Sequence, residues 1–155
     1  MSAASRARMR VRRAEPRDRA AWLRMREALW PHAADEHAGA IDDFLAGGSV
    51  FIDEALICEA EDGCIVGFVE LRVRNYAEGS DSPAVPFVEG WYVDPAHRKQ
   101  GAGALLIAHA EQWARSLGHS ELGSDAEIDN TGSIAAHRAV GFDETDRIVC
   151  FLKKL

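Results

Sequence analysis

No apolar run in this 155-residue chain approaches the roughly 18 residues that a membrane-spanning helix requires, so no such span is expected. Cysteine is scarce. Cys58, Cys64 and Cys150 are odd in number and no C-x-x-C occurs, which argues against a disulfide framework and against a zinc site. Free thiols in a reducing cytosol, with no metal, are the expectation. Positive charge is in deficit: 18 Lys and Arg stand against 25 Asp and Glu, a net charge of −7. A nucleic-acid partner is therefore disfavoured, and a cationic one is electrostatically easier to accept. Two phosphate-binding schemes are missing. No Lys-Ser or Lys-Thr follows the glycines as a P-loop needs, and Leu106 stands where a dinucleotide fold places its third glycine.

What is present reads as one domain, with 47% hydrophobic residues and no internal repeat or linker. MSAASRARMRVRR is arginine-rich and free of acids, but it lacks a long amphipathic leader. Residues 1–8 are expected to be a disordered tail, and residues 9–155 the domain. Met9–Arg13 reads as a strand. Asp18–Trp30 reads as a helix with Trp22, Met25 and Leu29 on one face, ended by Pro31. Asp35–Ala46 reads as a second helix stopped by Gly47-Gly48. Strands are predicted at Ser49–Ala60 and Cys64–Arg74 around an Asp62-Gly63 turn, and a polar loop over 75–86. A helix over Ala104–Leu117, a short strand at Glu121–Ser124 and a helix over Gly132–Val140 follow, with Phe142–Lys153 as a final strand or hairpin. This order predicts an α/β domain with a mixed sheet flanked by helices.

The chain is organised around Glu89–Leu106, EGWYVDPAHRKQGAGALL. Trp91, Tyr92 and Val93 favour a strand, and Asp94-Pro95 ends it. Arg98, Lys99, Gln100, Gly101, Ala102 and Gly103 then lead into a helix. Free backbone N–H groups, a positive dipole end and basic side chains meet there, which suits a pyrophosphate. Arg98-x-x-Gly101-x-Gly103 in this setting resembles the acetyl-CoA signature of the GNAT acetyltransferases. Asn130-x-x-Ser133-x-x-x-His137-x-x-x-Gly141-Phe142 resembles the second signature of that superfamily.

Further segments, Leu29-Trp30-Pro31, Asn75-Tyr76, Phe87-Val88-Glu89-Gly90, Ser124-Asp125 and Gly141–Thr145, are similar to the aminoglycoside 6'-N-acetyltransferases within that superfamily. The resemblance implies a splayed central strand that binds acetyl-CoA as co-substrate, and a cytoplasmic homodimer active in antibiotic resistance. It implies that Trp91, Tyr92 and Val93 offer backbone groups to the pantetheine arm, that Arg98 to Gly103 hold the pyrophosphate, and that Asn130 lies near the thiol end. Trp30, His32, Tyr76, Glu89, Asp125 and Asp146 would line the aminoglycoside pocket. Where many members of the superfamily carry a tyrosine proposed to protonate the thiolate, this chain has His137, which can also donate.

An aminoglycoside is a polycation. Its site must attract the cation and remove a proton from the attacking ammonium, and carboxylates do both. Seven acids lie between Glu121 and Asp146 against Arg138 and Arg147, an excess that could make an acidic cleft. Glu89 is the candidate base and Asp125 the candidate cation anchor, with the N–H of Tyr92 or Val93 as oxyanion donor. Two other readings compete: acetylation of another amine, such as a polyamine or peptide N-terminus, and an acetyl-CoA-binding sensor without catalysis.

Overall fold

The structure, a computed structural model, describes residues 8–155. The expected tail therefore lies outside the described residues except for Arg8. Nine elements follow in order: β1 (Arg10–Arg13), α1 (Arg19–Leu29), α2 (Ala34–Leu45), β2 (Glu54–Glu59), β3 (Ile65–Arg74), β4 (Val85–Val93), α3 (Ala102–Ser116), β5 (Gly123–Ser124) and α4 (Thr131–Ala139). The strands form one mixed sheet in sequence order, antiparallel from β1 to β4 and parallel between β4 and β5. This is the expected α/β architecture with helices on both faces.

The central strands are predominantly apolar because both faces are covered, with Glu70 of β3 and Glu89 of β4 among the exceptions. Alternate residues of β2 go opposite ways. Ala55 and Ile57, with Phe68 of β3, pack against Trp22, Met25, Ile41 and Phe44 of α1 and α2. Leu56 and Cys58, with Val69, Leu71 and Val88, pack against Leu106, Ile107 and Ala110 of α3. Each fully buried large aliphatic side chain contributes about 1.5–3 kcal/mol of transfer free energy. Two facing layers of such residues hold the sheet from both sides.

β4 has two irregularities. The register against β3 shifts: Glu70 faces Gly90 and Leu71 faces Val88, so Glu89 is the extra residue of a bulge. β5 then pairs with β4 only at Phe87 and Val88. Beyond that point the strands part, which is the splay expected of the central strand. Trp91 and Val93 face the α3 layer, and Tyr92 faces the α1–α2 layer.

The expected final strand is corrected. Phe142–Lys153 carries no strand, and residues 143–155 lie exposed. The β-branched and aromatic residues Ile148, Val149 and Phe151 have the local preference, but a strand exists only against a partner. β5 is two residues long and offers almost no ladder within the chain.

Gly67 shows how closely β3, β4 and α3 meet. A Cβ there would lie 2.7 Å from the Tyr92 carbonyl oxygen and 3.2 Å from Leu106 Cδ1. Gly67→Ala is expected to cost about 1–3 kcal/mol, as overpacking against backbone does. Urea unfolding reads this, and an unchanged midpoint would show that the contact has slack.

Candidate active site

The bulge turns Glu89 out of the ladder, and Arg74 at the end of β3 takes its carboxylate bidentately at 2.7 and 2.6 Å. The Arg74 guanidinium in turn lies 3.7 Å from the centroid of the Phe87 ring. Both side chains are partly buried, at 35% and 20% exposure, so the pair is screened less than a surface one. The bond to Glu89 raises the Arg74 pKa further above its ordinary value.

Asp125 follows β5 directly. Its surface is largely open, yet the surrounding protein strips hydration from its carboxylate and pushes its pKa above the ordinary value. Arg74 pulls the other way, while Glu89 and Glu78 push further up and His137 pulls down. Three carboxylates thus share the field of one arginine at the mouth of the splay. A cation is the natural complement of such a cluster.

His137 on α4 is a strut. Its Nδ1 lies 2.7 Å from the Ser133 carbonyl, and its Nε2 lies 2.7 Å from the Ser124 hydroxyl of β5. A carbonyl only accepts, so Nδ1 carries the proton and Ser124 donates to Nε2. The ring also meets Trp91 edge-on at 5.2 Å and Phe142 at 5.2 Å. It joins α4, β5 and β4 just past the point of divergence.

After β4 a single 3₁₀ turn, Pro95–His97, leads to the basic loop. Arg98 Nε donates back to the Val93 carbonyl at 2.9 Å, and Gln100 donates to the Ala96 carbonyl at 3.1 Å. Lys99 has a positive φ of 61°, and Gly101 one of 96° at the start of α3. No side chain caps this helix. Its first-turn N–H groups, among them those of Ala102 and Gly103, are therefore available to an anion. Gly103 lies close to Trp91: a Cβ there would sit 3.2 Å from Trp91 Cζ2, a tight contact.

The remaining candidates lie around this centre. Trp30 ends α1 and presses its ring edge on the Gly90 backbone, beside Glu89. His32 and Tyr76 are exposed, the first just past α1 and the second in the loop before β4. Asn130 caps α4, its Oδ1 accepting from Ser133 N at 3.1 Å. Asp146 lies on the exposed carboxy-terminal arm and accepts from its neighbour Arg147 N. Thr145 ties the start of that arm to the Glu78 carbonyl at 3.2 Å.

The acidic excess read from the sequence is divided. Glu144 is held by Arg138 and Arg147, and Glu121 accepts from Ser80. Of those seven acids, Asp125 acts on Arg74 together with Glu89 and Glu78. Sequence reasoning missed Arg74 and Glu78; the available signal was a second basic residue, after Arg72, at the end of a mostly apolar strand. Among the described residues no three metal-ligating side chains converge, and no helix is long and apolar enough to cross a membrane.

A profile of the acetyltransferase (GNAT) family matches residues 18–142, and the chain belongs to that family. The particular relatives are narrower. The chain is 45% identical over 146 residues to aminoglycoside N(6')-acetyltransferase type 1 of Klebsiella aerogenes, covering 94% of this chain and 96% of that one. It is 44% identical to the enzyme of the same name from Stenotrophomonas maltophilia, with 91% and 90% coverage. The solved structure of AAC(6')-Iy in complex with the bisubstrate analogue CoA-S-monomethyl-acetylneamine is similar, with a TM-score of 0.86, 32% identity and 96% and 100% coverage.

The raised Asp125 pKa has a consequence for stability. From the ordinary value of 3.8 upward, the folded state holds this proton more tightly than the unfolded one. Stability from this group therefore falls as pH rises through that window, and the full penalty is present above it. Asp125→Asn cannot ionise. Its Tm relative to wild type is expected to rise as pH climbs from the ordinary aspartate value of 3.8 and to level off once Asp125 is ionised in the folded protein. A difference independent of pH would show that Asp125 is not destabilised by its charge.

Proposed function

We propose that this chain is an aminoglycoside 6'-N-acetyltransferase, which moves the acetyl group of acetyl-CoA to the 6'-amine by direct attack. The observation that carries this reading is the cluster of Glu78, Glu89 and Asp125 around Arg74 where β4 leaves β5, with the uncapped start of α3 following the other end of β4. One side suits a polycation and the other a pyrophosphate. The names and bound ligands of the relatives agree with it.

On this reading the pantetheine arm lies along the open edge at Trp91, Tyr92 and Val93 like an added strand. The pyrophosphate rests on Arg98 to Gly103, and Asn130 lies near the thiol. Trp30, His32, Tyr76 and Asp146 line the sugar side. An incoming ammonium competes with Arg74 for Glu89 and frees a carboxylate oxygen as the amine arrives. Glu89 takes the ammonium proton, directly or through water. The amine lone pair then forms the C–N bond at the thioester carbonyl, whose oxygen is held by the N–H of Tyr92 or Val93. The C–S bond breaks, the thiolate leaves with the sulfur electron pair, and the excess proton on the new amide nitrogen passes through water to that thiolate. His137 can return a proton only by giving up its bond to Ser133, so its first role here is structural.

The test is thiol release with kanamycin, with an analogue carrying a hydroxyl at 6', and with a polyamine and a peptide N-terminus. Turnover is expected with kanamycin alone. Glu89→Gln should lower kcat by about 10²-fold, as loss of a general base does. Asp125→Asn should mainly raise KM, as loss of a binding group does. Wild-type rates for Glu89→Gln across the neutral range would remove it from the mechanism.

The reading includes a homodimer in the cytoplasm, where acetyl-CoA is available, and a role in antibiotic resistance. Support for the dimer comes from the carboxy-terminal arm, where Ile148, Val149, Phe151 and Leu152 are exposed at 60–92%. The outer edge of β5 has no partner strand among the described residues. A second copy would cover both. Sedimentation should give a dimer for the full chain and a monomer after deletion of residues 147–155; a dimer that survives the deletion would place the interface elsewhere.

A further inference from the structure

Behind β4 lies a buried polar cluster that the transfer step does not use. Glu70 on β3, Trp22 and Arg26 on α1, and His37 on α2 are all buried. Trp22 Nε1–H donates to Glu70 Oε1 at 2.8 Å, and an Arg26 guanidinium N–H donates to the same oxygen. Arg26 Nε–H donates to His37 Nδ1 at 3.2 Å. Arginine only donates, so Nδ1 is the acceptor and the imidazole proton sits on Nε2. That N–H donates to the Trp30 carbonyl at 2.9 Å.

The Trp30 ring is held by the same residues. The Arg26 guanidinium lies 4.9 Å from its centroid, and the His37 ring stacks at 6.2 Å. The free edge of the indole meets Gly90 so closely that any Cβ there would collide. Gly90 follows the bulged Glu89 and pairs with Glu70 across the ladder. The contacts therefore close a ring: Glu70, Arg26, His37, Trp30, Gly90 and back to Glu70.

Such a cluster is expensive. Burial pushes the Glu70 carboxyl up and Arg26 opposes it, and apolar side chains of similar volume often stabilise a core as well or better. Packing alone does not explain it. Its partly exposed member is Trp30, which stands against the bulge that presents Glu89.

We propose that His37, held by Arg26 and Glu70, is a positioning residue for the acceptor substrate. It sets the Trp30 ring and, through Gly90, the direction in which the bulge presents Glu89. This rests on the reading that Trp30 and Glu89 line the acceptor pocket. His37→Gln keeps an amide that can donate to the Trp30 carbonyl and removes the fixed ring.

The variant is expected to lose roughly ten- to a hundredfold in kcat/KM for kanamycin, the scale of a small misplacement. Its KM for acetyl-CoA should stay unchanged, and the Trp30 indole N–H resonance should move or broaden while that of Trp113 does not. The double variant Trp30→Phe, His37→Gln should be no worse than Trp30→Phe alone, because the first residue acts through the second. Equal losses for both substrates, full additivity, or an unmoved Trp30 resonance would each overturn the proposal. A wild-type protein that fails to acetylate kanamycin defeats the assigned function instead, and the indole resonance still decides whether His37 sets Trp30.

Discussion

A strand that loses one neighbour halfway along its length is the constraint from which the rest of this structure follows. β4 is paired with β3 along its length except at the bulged Glu89, but with β5 at only two positions. Backbone N–H and C=O groups left on the open edge need partners, and a sheet interior normally provides them. Here the opening lies between covered faces, so a ligand can supply what a strand would have supplied. The α1–α2 layer and α3 hold β4 rigid on either side, and the close contact at Gly67 ties it to β3. Rigidity is useful here because the opening has to survive without collapsing.

Two sites of opposite sign are built at the two ends of that opening. At the end of β4 the uncapped first turn of α3 and its basic loop gather positive potential from backbone and side chains. At the bulge, Glu89, Asp125 and Glu78 gather negative potential that Arg74 only partly offsets. The acidic site is not cheap for the folded chain by itself. The lifted Asp125 pKa is a direct sign of that cost, and a bound cation would relieve it. Separation along one strand keeps the two potentials from cancelling.

The bulge links this electrostatics to packing. It puts Glu89 outside the ladder, and it brings Gly90 opposite a buried glutamate and under an indole. A side chain at position 90 would push the wall of the cleft away, so glycine is needed there for close approach rather than for a special backbone angle. The residues that hold the wall lie on α1, α2 and β3, far apart in the chain and adjacent in the core.

Much of this protein is legible in its sequence because the signals are local. Periodicities of two and of 3.6 residues, Pro95, and the glycines at 101 and 103 mark the strands, the helices and the basic loop before α3. Asn130 reads as a cap for the same reason, since a cap bonds to its own helix. The final strand misled: Ile148, Val149 and Phe151 carry the preference, but no strand among the described residues pairs with them. Nor could spacing reveal that Arg74 takes Glu89, that Glu144 is spent on Arg138 and Arg147, or that Glu70 is buried with Arg26. Those facts depend on register and on one extra residue in β4. Local preference determined which segments form strands and helices. The ladder decided which charges meet, because a bulge moves side chains between faces without leaving any mark in composition.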